Sequence, residues 1–435
     1  MNAVDKLEQE NVNSFVPMII IGLLFFIFGF VTWLNGSLIP FLKIICDLND
    51  FQALFVTFAF YISYTVMALP MAAILKRTGY RNGMAIGLVI MACGSLLFIP
   101  AALSANYFMF LIALFFLGAG LTILQTASNP YVVFIGPIES AARRISIMGV
   151  INKFAGVVVP IVFAALILSD LGDASDLTSR ALSEAEITAL SERLILPYIY
   201  MACALIMLIG LVYFSNLPTI SDSNSALEDG DERKNIFEYP QIILGAIALF
   251  GNIGMEVIAG DTIGLYGARQ NLANFATLTS YTMVFMLIGY FIGILTIPKY
   301  MPQRHALTFS AITGCLCIIG ISLSSESSTS ITQAIWGWTA LPLLPNPIFF
   351  VATMGTANAL VWPAIWPLAL NGLGKFTPLG SALLVMSVSG GAIIPLLFGK
   401  FVEITDNFQA AYMIGIPCYL FIFFYAMRGH KMRRW

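Results

Sequence analysis

The chain has 435 residues, of which 59% are hydrophobic and only 10% charged; an ordinary soluble domain carries about one quarter charged residues, so a water-soluble globular protein is excluded. Its formal net charge of −2 comes with no basic stripe, which excludes nucleic acid and an anionic membrane surface as partners.

The N-terminal stretch MNAVDKLEQENVNSF lacks the basic n-region and small-residue cleavage site of a signal peptide, so the first apolar span is expected to be retained. A hydrocarbon core about 30 Å thick needs about 20 apolar residues per helix. Twelve such windows follow, near 16–43, 51–75, 81–103, 107–135, 144–168, 195–216, 239–267, 275–297, 305–323, 346–371, 379–400 and 408–428. The expected fold class is an all-α membrane protein in a lipid bilayer, with twelve transmembrane helices and both termini on one side. With the termini placed in the cytoplasm, fifteen of the twenty-one Lys and Arg fall in cytoplasmic segments, Lys43, Arg180, Arg193, Arg269 and Lys400 fall outside, and Lys153 lies within a span. The positive-inside rule therefore predicts cytoplasmic termini.

In chain order, span one carries Trp33 and Asn35 in TWLNGSLIP, and a basic loop, KRTGYR, follows span two. Span four carries Gln125 and Asn129 in GAGLTILQTASNPYVV, and span five carries Asn152 and Lys153 in NKFAGVVVPIVF. The external segment 169–194 contains Ser183 and Glu186 at capping-box spacing, which predicts a short surface helix. The polar, charged segment 217–238 predicts a cytoplasmic linker between an N-terminal six-helix bundle, 1–216, and a C-terminal one, 239–435.

Span seven carries Asn252, Glu256 and Asp261 in NIGMEVIAGDTIGLY, and span ten carries Asn358, Trp362 and Trp366. Span eleven repeats span five: SIMGVINKFAGVVVPIVF from Ser146 aligns without a gap on SALLVMSVSGGAIIPLLF from Ser381, pairing Gly156 with Gly391, Pro160 with Pro395 and Phe163 with Phe398. Parallel repeats of this kind imply alternating access around a midplane site.

Each charge at mid-bilayer depth costs roughly 2.5–3.5 kcal/mol on insertion scales, so Lys153, Glu256 and Asp261 mark a cation or substrate path. Glu256 and Asp261 are five residues apart, about 140° around a regular helix. Gly254, Gly260 and Gly264 make a distorted helix plausible, and unwound backbone there would add carbonyl oxygens to two carboxylates as sodium ligands. Lys153 reads as a fixed salt bridge to span seven, as a cation that holds an acid in the empty site and releases it, or as a side chain that snorkels or contacts sugar hydroxyls. The amides Asn35, Gln125, Asn129, Asn152, Asn252 and Asn358 suit the hydroxyls of a neutral sugar, and Trp33, Trp362 and Trp366 offer apolar faces for a pyranose. No nucleophile is paired with a base and no metal-ligand cluster falls in the spans, so no enzyme is expected.

The basic loop Lys76–Arg81 resembles that of the major facilitator superfamily. Within it, the Thr-Ala-x-Asn-Pro of span four and the Leu-Asn-x-x-Leu-x-Pro of span one resemble the fucose/galactose/glucose symporter family, and GMEVIAGDTI is similar to its sodium-linked hexose members. The resemblance implies two pseudo-symmetric six-helix bundles in a bacterial inner membrane; no cofactor is expected, and a monomer is the expectation for a sequence that is itself silent on oligomeric state. In the fucose/proton branch an aspartate follows the span-one asparagine and a glutamate precedes the Thr-Ala of span four; here Gly36 and Gln125 stand in those places. The implied function is import of a monosaccharide with a cation, sodium first, at Glu256 and Asp261. The alternatives are a proton on either acid, uncoupled facilitation, or a non-transporting sugar sensor.

Overall fold

The computed structural model describes residues 15–134, 141–167, 183–215, 235–297, 300–373 and 376–435. Among the described residues, twelve helices are long and apolar enough to cross a membrane: α1 (Pro17–Ile45), α2 (Asp50–Met67), α3 (Arg77–Ser104), α4 (Tyr107–Ser128), α5 (Arg144–Ile167), α6 (Ala185–Phe214), α7 (Pro240–Arg269), α8 (Phe275–Thr296), α9 (Gln303–Leu323), α10 (Asn346–Leu370), α11 (Leu379–Thr405) and α12 (Phe408–Lys431). Each overlaps one expected span, because a helix is the only open-ended element that satisfies its own backbone in lipid. The linker 217–238 and the external loop fall largely outside the described residues. The surface helix Glu184–Glu192 does not: Ser183 caps it and receives the Glu186 side chain in return.

The helices form two six-helix bundles related by a repeat. Gly156 of α5 abuts Trp33 of α1 and Met283 of α8, where a Cβ would lie 2.6 and 2.8 Å from side-chain atoms. Its counterpart Gly391 of α11 abuts Val257 of α7 and Tyr61 of α2 at 2.9 and 3.0 Å. Adding six to each helix of the first contact gives the second, with α8 wrapping round to α2, so the same residue performs the same packing task in both halves. These α5–α8 and α11–α2 seams join the bundles.

Local breaks fall where the seams meet the centre. α1 is interrupted at Leu34, between Trp33 and Asn35, and carries Pro40 in its second segment. α10 breaks at Leu360, three residues before Pro363, as expected of a proline that cannot donate to the preceding turn. Within the first turn of α3 the backbone bends at Gly79 with φ 76°, a left-handed conformation open to glycine.

At the end remote from the termini, polar contacts tie one bundle to the other. Arg269, closing α7, donates to Asp50 at the start of α2 at 3.1 Å and to the Asp406 carboxylate at the α11–α12 corner. Lys43 also pairs with Asp50. The Ser37 hydroxyl donates to the Ala276 carbonyl at 2.6 Å, and Ser280 to that of Val157 at 2.8 Å.

Candidate coupling and substrate site

The three intramembrane charges are brought to one place but do not form one cluster. Lys153 Nζ lies 2.6 Å from Glu256 Oε1, both side chains about nine-tenths buried. It also sits 4.4 Å from the centroid of the Trp33 ring. Asp261 is fully buried, with Oδ2 accepting a 3.3 Å hydrogen bond from Thr57 of α2 and Oδ1 without a partner among the described residues. The ion pair read for Lys153 is made with Glu256, across the bundle interface.

Between the two acids the helix widens. Residues Ile258–Thr262 form a π turn, whose i to i+5 period draws residues five apart towards one face. Glu256 and Asp261 are thereby drawn towards the same side of α7. Sequence reasoning expected unwound backbone with carbonyls free to hold sodium, and here the structure differs. Thr262 donates to the Ile258 carbonyl at 2.7 Å, Thr282 to Ala259 at 2.9 Å and Thr279 to Gly260 at 2.7 Å. The turn stays helical because threonine hydroxyls, two of them from α8, cap the oxygens that a π turn leaves poorly bonded.

The aromatic expectations divide. Trp33 is only 2% exposed, and its indole runs between Gly156 and Gly260, where Cβ atoms would lie 2.6 and 2.5 Å away. With Lys153 over the ring, Trp33 has no free face for a sugar, and its reading as a stacking platform is corrected on that ground. Trp362 and Trp366 are half-buried, ring centroids 5.5 Å apart, and the Trp366 indole N–H has no partner among the described residues.

Among the amides, Asn252 is fully buried with both polar atoms unpartnered, and Asn35 is 1% exposed with its NH2 group unpartnered. Buried amides without partners are costly unless something else supplies the hydrogen bonds. Asn152 donates to the Phe25 carbonyl at 3.3 Å and so ties α5 to α1. Asn358 accepts a 2.8 Å bond from Tyr419 of α12, which turns it towards the interior of its own bundle. Gln125 is half-buried on α4. Asn129 lies on the same helical run, but its side chain is outside the described set. Thr57, Thr279 and Thr282 were not expected. The Thr279/Thr282 pair has i, i+3 spacing on α8, and that pattern could have been read.

Gly36 explains one departure from the fucose/proton branch. A Cβ there would lie 2.2 Å from Thr279 Oγ1 and 2.7 Å from the Gly260 carbonyl; the seat of an aspartate is filled by α8 and the π turn.

The family model of the Major Facilitator Superfamily matches residues 21–395. The chain belongs to the major facilitator superfamily. As a member, it is a multi-pass membrane transporter and not an enzyme. It is 33% identical to a glucose/galactose transporter of Brucella abortus over 94% of this chain and 93% of that one. It is 27% identical to the L-fucose-proton symporter of Escherichia coli, covering 98% and 95%. The crystal structure of the Escherichia coli fucose:proton symporter superposes with a TM-score of 0.71 at 23% identity, covering 96% of this chain and 99% of that one. The inward-open xylose transporter of Escherichia coli gives 0.65 at 14%, covering 94% and 95%. At these identities the two structures bear on the fold alone.

Proposed function

We propose that this transporter imports a monosaccharide of the glucose, galactose or fucose type together with a proton carried by Asp261. Relatives named for glucose/galactose and for L-fucose and protons support the substrate class and the coupling ion. The observation that carries the assignment is the state of Asp261: full burial, one hydroxyl donor and no cation partner among the described residues. An ionised carboxylate so placed costs several kcal/mol, so a cation or a proton must join it. A sodium ion needs several oxygen ligands, whereas the one hydrogen-bond partner of the Asp261 carboxylate among the described residues is the Thr57 hydroxyl. A proton needs the carboxylate alone. Glu256 is already neutralised by Lys153, and this leaves Asp261 as the acid that changes charge.

Asn35 and Asn252 offer unpartnered amides to sugar hydroxyls, with Gln125, Trp362 and Trp366 as further candidate contacts. The working topology is two bundles, 1–216 and 239–435, joined by the cytoplasmic linker 217–238 in a bacterial inner membrane with cytoplasmic termini. If one charge crosses with each sugar, 100 mV contributes about 2.3 kcal/mol, roughly fifty-fold accumulation.

Uptake of labelled glucose, galactose and fucose into proteoliposomes, under a proton or a sodium gradient at matched membrane potential, tests the reading. A proton-driven overshoot that Asp261→Asn converts to simple equilibration is the expected result. Overshoot with sodium alone, or normal accumulation by Asp261→Asn, overturns it.

A further inference from the structure

Lys153 faces a choice that its sequence position does not settle: α7 carries two carboxylates five residues apart, about a π turn whose i to i+5 period draws such residues towards one face, and one ammonium serves them. An intramembrane cation free to move between Glu256 and Asp261 would short-circuit coupling, because it could neutralise Asp261 in place of the transported proton. What holds it on Glu256 is visible in the packing. Trp33 presents its ring to the ammonium at 4.4 Å, a distance well within the range of a cation–π contact, and such contacts are strongest when desolvated. The ring is itself fixed. Gly156 and Gly260 approach so closely that a methyl group on either would overlap the indole.

We propose that Trp33 is the positioning residue that confines Lys153 to Glu256 and thereby reserves Asp261 for the coupling ion. The inference rests on the reading of Asp261 as the acid that titrates. Gly260, one wall of the indole slot, immediately precedes Asp261 and belongs to the π turn. A change in that turn when Asp261 gains or loses its proton therefore bears on the indole, and through it on the ammonium. Trp33 is thus placed to transmit the charge state of Asp261 on α7 to the α5–α7 ion pair, as well as to hold that pair. Its indole N–H has no partner among the described residues, so the side chain is placed by shape and by the cation rather than by a hydrogen bond.

The test compares Trp33→Leu, which removes the ring, with Trp33→Phe, which keeps an aromatic face, in proteoliposomes. Two rates are read from each: proton-driven accumulation, and sugar exchange at equal concentrations without a gradient. Trp33→Leu is expected to lower the accumulation ratio about thirtyfold, the population change that a desolvated cation–π contact supports, with a much smaller loss of exchange and a lower pH midpoint for exchange as Lys153 reaches Asp261. Trp33→Phe should restore most of the accumulation and the original midpoint. Gly260→Ala, which crowds the same ring, should reproduce the Trp33→Leu phenotype if that variant yields too little protein. Accumulation and pH midpoint unchanged in Trp33→Leu or in Gly260→Ala would overturn the proposal. An equal loss of exchange and accumulation in both Trp33→Leu and Trp33→Phe would also overturn it, since that is the mark of a merely structural residue. Asp261→Asn separates the two levels. If it accumulates sugar normally while Trp33→Leu does not, the Asp261 reading fails and Trp33 acts on Glu256 alone; if it abolishes accumulation while Trp33→Leu is normal, only the role of Trp33 fails.

Discussion

The Lys153–Glu256 pair sets the terms at the residue scale. Breaking a buried ion pair strands its partner and costs about 3–5 kcal/mol, whereas replacing both members with apolar or neutral groups of similar volume is often tolerated. Glu256→Gln should therefore lower the thermal unfolding temperature of the detergent-solubilised protein sharply, and Lys153→Met in the same chain should recover most of the loss; equal stability of single and double variants would show that the pair is not held in the membrane interior. Gly36→Asp, which would install the acid of the fucose/proton branch, should abolish uptake, because its Cβ alone falls 2.2 Å from the Thr279 hydroxyl. The charged residues were legible in the sequence because ions in apolar spans are rare enough to be noticed one by one. Their pairing was not, since it depends on which helices meet. Trp33 was misread for the same reason: an aromatic residue in a polar motif reads as a sugar platform until the two glycines that close over it are seen in place.

Helices raise a different question, that of backbone satisfaction. The sequence indicated a distortion between Glu256 and Asp261 from three glycines, and the distortion is there, but as a π turn kept intact by Thr279, Thr282 and Thr262. Replacing Thr279 and Thr282 by valine would leave two carbonyls under-bonded in the membrane interior at about 1–3 kcal/mol each. The expected outcome is a lower unfolding temperature together with weakened proton coupling; a variant as stable and as well coupled as the parent would mean that the two hydroxyls are dispensable to the turn. The twelve spans were legible because length and apolarity are one-dimensional signals. Helix breaks such as Leu34 were not, because no proline or glycine marks that position itself.

Across the whole molecule, Arg269 joins the start of α2 to the end of α7 and the α11–α12 corner. A single exposed ion pair is worth roughly 0–1 kcal/mol, but one guanidinium shared by two carboxylates is a network. Arg269→Ala should open that end more often, so that Ser37→Cys in the same chain reacts with a membrane-impermeant thiol reagent about tenfold faster, the effect of roughly 1.4 kcal/mol. An unchanged labelling rate would place the closure elsewhere. The repeated glycines carry a consequence for how such opening can occur. Gly156 and Gly391 each leave no room for a methyl group between helices of opposite bundles, so the bundles cannot slide or separate there without losing contact along both seams. Motion is left to turn about these two points as about a fulcrum. Spectroscopic labels placed beside them would keep a constant separation through the cycle, while labels at the two membrane faces would move in opposite senses.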